Sequence, residues 1–227
     1  MPLPTSEVGS VTTIHQQFYD NPSIPPITLD HVEFASLTSK SVTDLVTTLS
    51  GARLGVTASY GKKCVLKALA FSTESRVLLI TMDGNSKSAK RQKRVLRDEL
   101  LCNTSLEKHG FFMERLAAAL HLDLGLHIRS AFDINSSDTR GSMAAYKDVL
   151  TRVRTENSIN ESTVRSVFRE QPPILSRKPE FALRAWACYV GVQRVEPARS
   201  DAIDTSTKDP KVRSIFLPRI VPPDRSD

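Results

Sequence analysis

The segment Lys87-Ser88-Ala89-Lys90-Arg91-Gln92-Lys93-Arg94-Val95-Leu96-Arg97 places six basic residues within eleven and no acid. Such a run can contact several phosphates of a nucleic acid, in binding that weakens steeply with salt and carries little sequence information. It can equally form a solvated loop and helix face beside Asp98 and Glu99, or a localisation signal. Other chemistries find less support. His15, His31, His109, His121 and His127 show no His-x3-His spacing for a metal. There is no Gly-rich phosphate loop, no Gly-x-Ser-x-Gly elbow and no Cys/His nucleophile pair. Cys64, Cys102 and Cys188 are too few and too scattered for a Cys-rich zinc site, and their odd number argues against a disulfide framework. Their apolar neighbours suggest small core side chains in a reducing compartment.

These residues must be carried by a fold of limited size. At 227 residues, 40% hydrophobic and 25% charged, the chain can bury one sizeable core but hardly two. Lys plus Arg exceed Asp plus Glu by 31 to 25, a formal charge of +6, which makes a polyanionic partner plausible. The N-terminus does not read as a secretory signal, and no stretch approaches the roughly 20 apolar residues of a membrane span. The expectation is an intracellular protein, nuclear or cytoplasmic, with no membrane association.

Residues 1–27 are rich in Pro, Ser, Thr, Gln and Asn and end in Pro25-Pro26, which predicts a disordered tail. A domain over 28–196 follows, and 197–227 forms a Pro-rich, charged second tail. Strand character begins at His31-Val32-Glu33-Phe34-Ala35, and a helix is predicted over 42–49, stopped by Ser50-Gly51. Strand-like runs over 53–58, 65–71 and 76–81 are separated by Gly61-Lys62-Lys63 and Ser72-Thr73-Glu74-Ser75, the pattern of an antiparallel meander. Helices are predicted over 94–101, 112–122, 143–153, 164–168 and 180–194, with strands leading to His109 and over 126–132. The fold class is α/β, a mixed sheet flanked by helices.

His109-Gly110-Phe111-Phe112-Met113-Glu114-Arg115-Leu116, followed by Ala131-Phe132-Asp133-Ile134, resembles the middle of an RNase D-type 3′–5′ exonuclease domain of the RNase H-like superfamily. The resemblance extends over roughly residues 30–195. It implies four carboxylates holding two divalent cations, Mg2+ or Mn2+, about 3.5–4 Å apart. On that alignment Thr57 and Ser59 occupy the first two acidic positions, and Ala185 the last. Phe181 occupies the aromatic position that precedes the last acid. Glu114, five residues after His109, is the one surviving acidic position. It is either a remnant ligand or an acid in the first helical turn, favoured there by the dipole. Asp133 matches a fold landmark rather than a ligand and reads as a cap or turn residue. Asp83 and Glu99 are further acids, set away from where the metals would sit.

The resemblance therefore implies a 3′–5′ exonuclease-fold protein that binds nucleic acid as an inactive adaptor, with no metal or other cofactor. Phosphate contacts are expected from Lys87, Lys90, Arg91, Lys93, Arg94 and Arg97. Tyr60, Phe111 and Phe112 are placed either to stack on bases or in the core, and Trp186 in the core. The alternatives are an active metal-dependent exonuclease on RNA or DNA, and a protein-interaction module without nucleic-acid binding whose tails dock protein partners.

Overall fold

The computed structural model describes residues 10–19, 24–82, 89–134, 146–147, 149–151, 159–168 and 177–192. Lys87, Asp83, residues 1–9 and 193–227, and most of the helix predicted over 143–153 lie outside them. The strands are β1 Ser10–Ile14, β2 Ile27–Glu33, β3 Arg53–Tyr60, β4 Leu66–Ser72, β5 Arg76–Thr81, β6 Glu107–Gly110 and β7 Ala131–Asp133. They pair in the order β1-β2-β5-β4-β3-β6-β7. The central β3, β4 and β5 form the antiparallel meander that the turn residues predict. The β4–β5 turn is closed by Thr73, whose N donates to the Arg76 carbonyl at 2.9 Å. The outer pairs β2–β5, β3–β6 and β6–β7 are parallel.

Residues 146–147 and 149–151 are helical, and five further helices flank the sheet among the described residues. They are α1 Ser39–Val46, α2 Lys90–Val95, α3 Met113–Ala119, α4 Glu161–Phe168 and α5 Lys178–Val192. Both α2 and α3 run on into wider π-type turns, over Leu96–Leu101 and Leu120–Leu124. Gly125 ends the second with φ +68°, a left-handed conformation that glycine adopts without a Cβ clash.

Strand alternation divides the core in two. Leu69, Phe71, Leu78 and Ile80 face α1, α2 and α3, whereas Ala68, Ala70, Val77 and Leu79 face α4 and α5. The small residues matter for position. Ala68, Ala70 and Gly55 make a flat floor on which α5 lies close, so close that a Cβ at Gly55 would overlap the Ala185 carbonyl oxygen and the Tyr189 nitrogen. None of the described helices is long and apolar enough to cross a membrane.

Four expectations change. Residues 10–19 were expected in a tail, yet β1 pairs antiparallel with β2, and Phe18 is fully buried, stacked against Trp186 with ring centroids 6.2 Å apart. Local composition has no access to that long-range pairing. The strand expected over 126–132 pairs only at its end, Ala131–Asp133. The helix expected from Arg94 begins at Lys90. Cys64, expected in the core, is exposed, because it sits on the Lys62–Cys64 turn with φ 59°. Cys188 is buried as expected, and burial pushes its thiol up to about 12.

Among the described residues, one charged side chain is fully buried. The Lys108 ammonium donates to the carbonyls of Asn103 at 2.5 Å and Leu106 at 2.7 Å, and desolvation pulls its pKa from 10.5 down to about 8. The folded state thus holds fewer protons than the unfolded chain between these values, so stability gains as pH rises. Above pH 9.0 the opposite contribution of Cys188, whose folded form keeps its proton, sets in. Thermal melts should therefore show Tm rising from pH 8 toward pH 9 in the wild type, and Lys108→Met should flatten that rise.

Candidate functional site

The cleft-facing end of β3 is where the local geometry departs from regular sheet. The β3–β4 register shifts between Ser59 and Tyr60, a bulge of the kind that re-aims side chains at the rim of a sheet. Beyond it the Lys62–Cys64 turn holds Lys63 at φ 60°, and across the gap Phe112 is held at φ 58° just ahead of α3. Left-handed backbone at bulky residues is costly and concentrates at functional sites.

Between these segments opens a cleft of about 860 Å³. β3 contributes Thr57, Ser59 and Tyr60, and the turn and β4 add Lys62 and Lys67. From α3 and its lead-in come Phe111, Phe112, Arg115 and Leu116. The far wall is α5, presenting Glu180, Phe181 and Arg184, with Arg177 just ahead of it, together with Val167 and Phe168 of α4. Among the described residues, five cations therefore line the cleft against two acids, Glu33 and Glu180, and Glu180 is paired with Arg177 at 3.5 Å.

The partners of these cations differ. The Arg184 guanidinium donates to the Val167 carbonyl, tying α5 to α4. Arg115 lies over the Tyr60 ring, 4.3 Å from its centroid, and donates to the Cys64 sulfur at 3.8 Å. Desolvation pushes the Tyr60 hydroxyl up to about 12, so the phenol stays neutral beneath the guanidinium. An aromatic wall stands nearby. Tyr146 stacks on Phe168 with centroids 4.1 Å apart, and Phe111 meets Tyr146 edge-on at 4.8 Å.

Of the residues singled out from the sequence, the structure gathers Thr57, Ser59 and Phe181 into the cleft. Ala185 is fully buried against Gly55 instead. Glu114 is exposed in the first turn of α3 and does not line the cleft; its neighbour Arg115 does. The phase of α3 follows from Met113, whose backbone N–H is accepted by Asp133 Oδ2 at 3.1 Å. Asp133 thus caps the start of α3, twenty residues earlier in the chain, rather than a turn at the end of its own strand. Asp133→Ala should lower stability by about 1 kcal/mol, read as a shift in the urea midpoint at unchanged slope.

His109 turns away from the cleft, hydrogen-bonding Glu107 at 3.1 Å and stacking on Phe132 at 5.0 Å, and burial lowers its pKa. Glu99 accepts from Ser39 Oγ at 2.5 Å, outside the cleft. Lys90, Arg91, Lys93, Arg94 and Arg97 do not line it either. Lys93 donates to the Leu124 carbonyl at 2.9 Å, and Arg94 and Arg97 both engage Asp98. Sequence reading missed Lys62, Lys67, Arg115, Arg177 and Arg184, because they come from separate elements. The spacing of Phe112, Arg115 and Leu116, one helical face at i, i+3 and i+4, was the available signal.

No family model matches the sequence, and no curated protein matches it. Solved structures do match. Trypanosoma brucei RNase D, in a structure with GMP, superposes with a TM-score of 0.51 at 13% identity, over 75% of this chain and 58% of that one. The fold is that of an RNase D-type exonuclease. Brucella melitensis NrnC is a looser likeness, with a TM-score of 0.44 at 14% identity over 67% of this chain and 78% of that one. The present chain spans less than two thirds of the RNase D it resembles.

The RNase D-type resemblance implies a two-cation centre at Thr57 and Ser59, and the described lining does not fit one. Closely spaced divalent cations require several anionic ligands. Here the donors on β3 are neutral hydroxyls, and the surrounding charges are predominantly positive. Among the described residues no group of three or more His, Cys, Asp or Glu is placed to hold a metal ion.

Proposed function

We propose that this chain is a nucleic-acid-binding protein built on the RNase D-type exonuclease fold, which holds a phosphodiester strand in its cleft without hydrolysing it. The observation that carries this reading is the lining of the cleft, where Lys62, Lys67 and Arg115 accompany Thr57 and Ser59. A cleft whose described cations outnumber its acids, set within low-dielectric walls, concentrates a polyanion and strengthens each phosphate contact. The same charges disfavour the addition of two divalent metal ions. Electrostatics thus favours the strand and opposes the cofactor that would cut it. The GMP carried by the trypanosomal RNase D structure supports a nucleotide ligand for this fold.

The test is a denaturing-gel time course of 5′-labelled single-stranded RNA and DNA with the purified protein in Mg2+ or Mn2+, with Glu114→Ala beside it. Full-length oligonucleotide throughout, in both proteins, is the expected outcome. A ladder shortening from the 3′ end in the wild type, and absent in Glu114→Ala, would establish an active exonuclease and overturn the reading.

A further inference from the structure

We infer that Arg115, Lys62 and Lys67 form a metal-independent phosphate subsite at the bulged end of β3, which takes the backbone of an unpaired strand while its bases meet the aromatic wall. This deepens the proposed function and rests on it.

Three observations converge. First, the cations are available. Lys62 and Lys67 are exposed at the cleft and make no ion pair among the described residues, and Arg115 is held by a ring and a sulfur rather than by a carboxylate. A guanidinium stacked on a tyrosine face keeps its outer N–H groups directed outward in a plane, the geometry that matches two phosphate oxygens. Second, the hydroxyls of Thr57 and Ser59 line the same cleft and can donate to an anion, a role that needs no deprotonation. Third, the cleft changes character across its width, from these polar groups to the half-buried Phe111 and Tyr146, which pack on the buried Phe168. Bases stack on such a wall only when they are not already paired and stacked in a helix. At about 860 Å³ the cleft suits a short stretch of strand rather than a duplex.

The conspicuous basic run is a rival site. Lys90 and Arg91 are exposed on α2, outside the cleft. The experiment must separate the two.

Fluorescence anisotropy of a labelled 12-nucleotide RNA and its DNA counterpart, titrated with full-length protein in EDTA and in Mg2+ at several salt concentrations, does so. Binding of equal affinity in EDTA and Mg2+ is expected, with a weaker complex for the same sequence as a duplex. Arg115→Ala should raise Kd roughly tenfold and reduce the salt slope by about 1, with Arg115→Lys intermediate. The double variant Lys90→Ala/Arg91→Ala should bind as the wild type does. Because Arg115 is exposed, a thermal melt matching the wild type is expected and separates lost contact from lost fold. Loss of binding in EDTA, or equal affinity for duplex, overturns the subsite. Wild-type affinity in Arg115→Ala with loss in the α2 variant moves binding to α2, overturning the subsite and the cleft as the place of binding while nucleic-acid binding itself stands. No binding of either oligonucleotide by the wild type refutes both.

Discussion

Gly55→Ala should destabilise the protein strongly. The added Cβ would overlap the Ala185 carbonyl oxygen and the Tyr189 nitrogen and sit 2.8 Å from Tyr189 Cβ, and the first two are backbone atoms of α5 that no rotamer change can move. Relief requires α5 to lift from the sheet. That helix buries Phe181, Ala182, Trp186 and Tyr189 in the core it shares with β4 and β5, so lifting it opens half the hydrophobic interior. Against a total stability of roughly 5–15 kcal/mol, a loss of more than about 4 kcal/mol is expected. In a domain of this size each kcal/mol moves Tm by about 2–4 °C, so the melt should fall by more than roughly 10 °C. A wild-type melting curve for Gly55→Ala would mean that α5 does not rest on β3 as described.

Ala185→Asp, which places an acid where the resemblance implies one, should also destabilise the protein strongly and should not create a metal site. Ala185 is fully buried, beside the stripe of Arg177, Glu180, Phe181 and Arg184 that lines the cleft. A carboxylate there would be desolvated without a prepared partner, at a cost of about 3–5 kcal/mol if ionised, or would stay protonated well above the usual carboxylate range. The corresponding loss in Tm is roughly 10 °C. Added Mg2+ should not recover it. Recovery of Tm by Mg2+ would show that the position does face a cation site.

Both variants turn on packing, and packing marks the boundary of what the sequence discloses. The meander over β3, β4 and β5 was legible because Gly61-Lys62-Lys63 and Ser72-Thr73-Glu74-Ser75 interrupt clear apolar runs. So was the final helix, whose apolar residues recur at helical spacing. β1 was not, because Ser10 to Thr13 are exposed and only pairing with β2 makes them a strand. At the cleft, the resemblance located Thr57, Ser59 and Phe181, since strand and helix positions survive when side chains change. It pointed to Glu114 rather than Arg115. One residue on a helix is a rotation of about 100°, and the left-handed Phe112 ahead of α3 helps set that phase through a conformation that residue type alone does not predict. The basic run drew attention because its charges are contiguous. The cleft's cations are dispersed over β4, α3, α5 and one turn, and only the fold makes them neighbours.

The central claim joins binding to the absence of cleavage, so the most direct measurement observes both in one tube. The protein is incubated with 5′-labelled single-stranded RNA in Mg2+ for several hours, the complex is isolated on a native gel, and the RNA recovered from the shifted band is run on a denaturing gel. The account predicts a shifted band that weakens as salt rises, containing only full-length RNA. Shortened RNA in that band would contradict it by showing a working nuclease, and the lack of a shifted band at any salt concentration would contradict it by showing that the cleft binds no strand.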